Sequence, residues 1–139
     1  LGALGGAMFA EGPNLPPYKE RDQVHVIEIN SALAEKLRRE FPLTDVRCAD
    51  FLQCNGDLGT FDRIVMNPPF ENGADIKHIL HARRFVNPGG TVVAICANGP
   101  RQREALMDLA EHWEDLPAGT FAESGTQVNT ALVVMRGCE

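Results

Sequence analysis

Asn67-Pro68-Pro69-Phe70 closes the apolar run Phe61-Asp62-Arg63-Ile64-Val65-Met66, and these four residues carry the most specific chemistry in the chain. Each proline fixes its own φ and confines the residue before it to extended backbone, so the corner presents its polar and aromatic groups in a rigid geometry. The Asn67 side-chain oxygen and the Pro68 carbonyl are hydrogen-bond acceptors, and Phe70 is a flat stacking surface. Two acceptors aimed at one NH2 group orient it and free its lone pair for attack, while the ring packs on the plane that bears it. That is chemistry for an exocyclic amine or a carboxamide nitrogen. The structural alternative is a polyproline turn after a strand, the usual meaning of a bare Pro-Pro pair.

The elements that must hold this corner alternate along the chain. Val24-His25-Val26-Ile27-Glu28-Ile29 reads as a buried strand, Asn30 as a helix cap, and Ser31 to Glu40 as a helix with Leu33, Leu37 and Phe41 inward, stopped by Pro42. A short strand over Asp45 to Cys48 follows, then the strand ending at Met66. Asp75 to Arg84 has helical spacing with Ile76, Ile79 and Leu80 inward, and Asn87-Pro88-Gly89-Gly90 reads as a turn into the strand Thr91 to Cys96. Gln102 to Trp113 is predicted as a helix burying Leu106, Leu109 and Trp113. Gly119 to Glu123 and Thr130 to Met135 are predicted as strands joined through Ser124-Gly125-Thr126-Gln127. Alternation of this kind implies an α/β fold, a parallel sheet covered by helices, with an antiparallel last strand.

With 139 residues, 44% hydrophobic and 23% charged, the chain is read as one domain, 1–139, with a real core. Leu1 to Ala10 is too short and too rich in glycine for a signal peptide or a membrane span, so no membrane association and a cytoplasmic location are expected. Cys48, Cys54, Cys96 and Cys138 lack metal-binding spacing and read as reduced thiols. A net charge of -6 argues against strong nonspecific affinity for nucleic acid, so local basic residues, another domain or another subunit would have to supply phosphate contacts.

Ligands of open α/β sheets bind outside the carboxyl ends of the strands. Glu28 stands at such an end about 20 residues after Gly6, a spacing suited to an acid that accepts hydrogen bonds from ribose hydroxyls. Asp75, His78 and His81 share helical spacing but point away from the apolar stripe, and read as a solvated polar face rather than a metal site. Arg101 and Arg103 lie at the expected rim and read as a charged first helical turn, with substrate phosphates as the alternative partner. Asn14-Leu15-Pro16-Pro17-Tyr18 has the prolines and the aromatic residue but Leu15 at the amide position, and reads as a loop.

Asn67-Pro68-Pro69-Phe70 resembles the Asn/Asp-Pro-Pro-aromatic signature of class I S-adenosylmethionine-dependent methyltransferases that modify nitrogen, chiefly adenine-N6 enzymes of DNA and RNA. Protein glutamine-N5 methyltransferases share it. The resemblance implies a Rossmann-like sheet of order 3-2-1-4-5-7-6 with strand 7 antiparallel, and S-adenosyl-L-methionine as cofactor. It implies a catalytic set of Asn67, Pro68 and Phe70, and a cofactor-binding set of Gly2, Glu28, Asp50, Phe51 and Asn67. In that set Glu28 holds the ribose, Asp50 the adenine amino group and Phe51 the ring, although Asp50 is equally suited to a simple turn. The function implied is N-methylation, with adenine N6 of DNA or RNA as the target. A protein glutamine, or a non-catalytic binding role descended from the enzyme, is the alternative.

One part of the family pattern is not found. Leu1-Gly2-Ala3-Leu4-Gly5-Gly6 resembles the tail of the glycine-rich loop running into its helix, so the first strand is expected to be absent from these residues. Because that strand is central, its absence is expected to leave two open edges in the middle of the sheet.

Overall fold

The structure, a computed structural model, describes residues 8–11, 24–120 and 128–137. Among the described residues seven strands form one sheet in the order β3-β2-β1-β4-β5-β7-β6. They are β1 (Met8–Glu11), β2 (Val24–Glu28), β3 (Asp45–Cys48), β4 (Phe61–Met66), β5 (Val86–Ala97), β6 (His112–Asp115) and β7 (Thr130–Arg136). Among the described residues three α-helices accompany them: α1 (Ser31–Glu40), α2 (Ala74–Ala82) and α3 (Pro100–Leu106). β2 pairs in parallel with β3 and β4 with β5, while β7 runs antiparallel to both β5 and β6. Five strands therefore share one direction, with β1 and β7 reversed, and the order of positions across the sheet is the one expected.

The expectation of two open central edges is overturned. β1 lies between β2 and β4 and pairs antiparallel with each, Phe9 opposite Val26 on one side and Val65 on the other. Met8–Glu11, where a helix was expected to begin, is thus extended. An antiparallel neighbour can return at the same end of the sheet and needs no crossover helix, so a short segment can occupy this place.

Two cores explain why the elements stay where they are. On one face α2 and α3 deliver Ile79, Ala82 and Leu106 onto Ile27, Phe61, Ile64, Met66, Val92, Ala94, Cys96 and Val133. On the other, α1 packs Ala34 and Leu37 against Val26 and Val46. Val26 and Ile27 enter different cores because neighbouring strand residues face opposite ways. Asn30 caps α1 as expected, its side-chain oxygen accepting from the Leu33 amide at 3.0 Å. Phe41 and Leu80, expected inward, are exposed: Phe41 is already past the helix end, and Leu80 sits beside rather than on the buried Ile79 line.

The C-terminal third departs further from expectation. The α-helix ends at Leu106, one tight turn follows, and Trp113 lies on β6, opposite Val133 of β7. The hairpin partner of β7 is therefore His112–Asp115 and not Gly119 to Glu123; residues 118–120 form a turn, and 121–127 lie outside the described residues. Asn87 to Gly90 is likewise no simple turn. It bulges between the pairs Phe61–Val86 and Arg63–Thr91 inside the span of β5. Gly90 is required there, since a Cβ would stand 2.8 Å from the Asp62 carbonyl oxygen.

Candidate active site

β2, β3, β4 and β5 point the same way, so Glu28, Asp50, Asn67 and the Asn98–Arg101 segment collect at one end of the sheet. The Ala49 amide donates to the Glu28 carbonyl at 3.0 Å and locks the β3 exit to the β2 exit. A cleft of about 320 Å³ opens there, lined by Ile27, Ile29, Ala49, Asp50, Phe51, Leu52, Pro69 and His78. Residues that the sequence places far apart thus share one hollow, with Pro69 bringing the Pro-Pro corner to its wall. A second hollow of about 280 Å³, lined by Cys54, Thr60, His81 and Arg84 among others, lies toward the opposite end of β4.

Glu28 is the most unusual group in this region. Its side chain is 1% exposed, and among the described residues neither carboxylate oxygen has a hydrogen-bond partner. Burial raises its pKa above the ordinary glutamate value, an effect that the nearby Ile29 and Asn30 amides only partly oppose. A buried acceptor pair left empty is costly unless something else fills it. Two vicinal hydroxyls have the donors to do so, which is the fit expected of a ribose. Its chain neighbours Ile27 and Ile29 both line the cleft.

Asp50 caps the turn over Phe51–Gln53, its Oδ1 accepting from the Leu52 amide at 3.0 Å. The turn role raised for it from the sequence is therefore present, on a residue that also lines the cleft. Phe51 is 3% exposed and packs against His81 and Phe85, ring centroids 4.9 and 5.6 Å away. Pro68 is buried, Pro69 exposed, and Asn67 and Phe70 half-buried, so the corner is anchored by one proline and turned outward at the other. Asn72 (φ 53) and Gly73 (φ 74) are both left-handed, which folds the chain back sharply into α2 just after Phe70. Gly2 and the Asn14–Tyr18 segment lie outside the described residues.

The solvated face expected of Asp75, His78 and His81 is not found. Asp75 is fully buried and accepts from the Ala97 amide at 2.8 Å and from Gln102 Nε2 at 3.2 and 3.3 Å. It thereby ties α2 to the end of β5 and to the first turn of α3. His81 wedges between Phe51 and Phe85 with Nε2 3.1 Å from the Cys54 carbonyl, and His78 Nδ1 lies 2.8 Å from the Ala74 carbonyl. Phe85, four residues after His81, was the available signal for this aromatic cluster. Among the described residues no group of three His, Cys, Asp or Glu side chains is placed to hold a metal. Arg103 is held by Asn98 Oδ1 at 2.8 Å and lies 3.9 Å from Asp115. Hydrogen bonds from Asn98 and Trp113 hold the Asp115 carboxyl below its ordinary range and tie this loop to β6.

The order of strands across the sheet, with β1 reversed, is that of a Rossmann-like methyltransferase fold, and comparison with solved structures agrees on the fold. The N-methyltransferase NodS from Bradyrhizobium japonicum WM9 superposes with a TM-score of 0.62 at 14% identity, over 83% of this chain and 73% of NodS. NodS has also been solved with S-adenosyl-L-homocysteine. The 23S rRNA methyltransferase ErmE superposes with a TM-score of 0.55 at 20% identity, over 80% of this chain and 50% of that one. In sequence, the chain is 33% identical over 86 residues to the rRNA N(6)-adenosine-methyltransferase metl-5 of Caenorhabditis elegans, covering 58% of this chain. The match spans 39% of the length of that relative. No family model matches the sequence. Among the described residues no helix is long and apolar enough to cross a membrane.

Proposed function

We propose that residues 1–139 form one S-adenosyl-L-methionine-dependent N-methyltransferase domain whose target is adenine N6 in RNA or DNA. The observation that carries this reading is the buried, unpartnered Glu28 carboxylate beside a cleft whose wall includes Pro69 of the Asn67–Phe70 corner. The similarity to metl-5 supports the choice of adenine over a protein glutamine.

In this reading Glu28 takes the ribose hydroxyls, and Asp50 and Phe51 form the wall against the cofactor adenine, with Gly2 and Asn67 completing the set. The cofactor, when bound, supplies an electrophilic methyl group. Asn67 and the Pro68 carbonyl hold the target NH2 by its two hydrogens, and Phe70 stacks on the base, so that orientation carries much of the acceleration. A base inside a duplex cannot reach the corner, so a paired target has to be flipped out. The test is transfer of a radiolabelled methyl group by the intact protein to separate RNA, DNA and protein pools, followed by identification of the methylated base. Label on N6-methyladenine supports the reading, and label on glutamine alone overturns it.

A further inference from the structure

We propose that Arg101 grips a backbone phosphate of the nucleic acid strand that delivers the base to the Asn67–Phe70 corner, an inference that rests on the nucleic acid reading above. A Cβ built on Gly73 would stand 3.4 Å from Arg101 Nη1, in ordinary van der Waals contact, so the guanidinium lies beside the chain three residues after Phe70. Among the described residues Arg101 is exposed and has no carboxylate or other hydrogen-bonding partner, whereas Arg103, two residues on, is engaged by Asn98 and Asp115.

The support beneath Arg101 is rigid although its head group is not engaged. Pro100 opens α3, and Gln102, the residue after Arg101, is 5% exposed and donates to the buried Asp75. Asp75 also receives the Ala97 amide, so the first turn of α3, the end of β5 and the start of α2 are joined at one carboxylate. An anchored backbone fixes where the Arg101 guanidinium can reach, and guanidinium suits phosphate better than ammonium does. In a chain of net charge -6, a local cation at the mouth of the site is also what an anionic substrate needs to approach.

The test is fluorescence anisotropy of the intact protein with a fluorescein-labelled single-stranded RNA carrying one adenosine, over a sodium chloride series. Arg101→Ala is expected to bind about tenfold more weakly, as for a lost hydrogen bond to a charged group. The slope of log affinity against log salt is expected to be shallower by about 0.7, the share of one single-strand phosphate. Arg101→Lys should recover most of the slope. Lys36→Ala, which removes a charge on α1, should change neither quantity, and S-adenosylmethionine affinity should be unaltered throughout. Wild-type affinity and slope in Arg101→Ala, or an equal loss in Lys36→Ala, would overturn the proposal while leaving N-methyl transfer standing. A wild-type protein that methylates a glutamine peptide and neither binds nor methylates RNA would overturn both.

Discussion

Replacing Glu28 by glutamine should strengthen the empty protein and weaken its hold on the cofactor. The side chain is 1% exposed and neither oxygen has a partner in hydrogen-bond geometry among the described residues, so the ionised form is buried with only part of its cost offset by the Ile29 and Asn30 amides. Glutamine fills nearly the same volume without the charge, and relief of part of the penalty of an unsatisfied buried group is worth about 1–2 kcal/mol. For a domain of this size that corresponds to a rise in Tm of about 3–8 °C. The pH dependence follows from the raised pKa. The folded state binds the Glu28 proton more tightly than the unfolded state, so this residue's contribution to stability is greatest below the ordinary glutamate pKa and declines as pH rises through the folded value. Glu28→Gln should abolish that decline. Against the cofactor the order reverses: two hydrogen bonds to a charged group are worth about 1.5–3 kcal/mol each, and glutamine keeps one acceptor. Affinity for S-adenosyl-L-homocysteine should therefore fall about 10- to 150-fold. Calorimetric scanning and titration read the two quantities on the same samples. Unchanged affinity in a folded Glu28→Gln protein would remove this carboxylate from the site.

Asp75→Ala leaves the buried Ala97 amide and Gln102 side chain without their acceptor. It should cost about 3–5 kcal/mol in urea unfolding, as for breaking a buried network, and a loss below 1 kcal/mol would reduce the three-way tie to a bystander. Phe9→Pro places a residue without an N–H in the middle of the sheet, between Val26 and Val65, and should destabilise the fold by about 3 kcal/mol or more. Native stability in that variant would contradict a central β1. Burial pushes the Cys96 thiol up to about 12, whereas Cys48 is exposed. Alkylation at neutral pH read by mass spectrometry should mark Cys48 well before Cys96.

Local chemistry explains what the sequence made legible. The prolines at 68 and 69 fix backbone regardless of context, Asn30 caps α1 through a partner three residues away, and Glu28 stands where a β-branched run stops. These signals are short-range and survive folding unchanged. Asp75 was misread because its burial is decided by partners 22 and 27 residues away, on β5 and α3. Leu106, Leu109 and Trp113 have helical spacing, yet Glu111 donates its amide to Val134 and Trp113 pairs with Val133, so strand pairing overrides the period. Met8–Glu11 is too short and too close to glycines to announce a strand, and it gains its place from two waiting neighbours rather than from its own pattern.

The most direct test of N-methyl transfer at the Pro-Pro corner is a comparison of wild type and Asn67→Ala in the rate of label transfer to the RNA and DNA pools, with cofactor affinity measured in parallel. Losing one acceptor that acts on the target nitrogen should lower the rate on the order of 100-fold or more while cofactor affinity falls by far less. Phe70→Tyr should retain a good part of the activity and Phe70→Ala should not. Equal rates for wild type and Asn67→Ala would make the corner a structural turn and contradict the assignment.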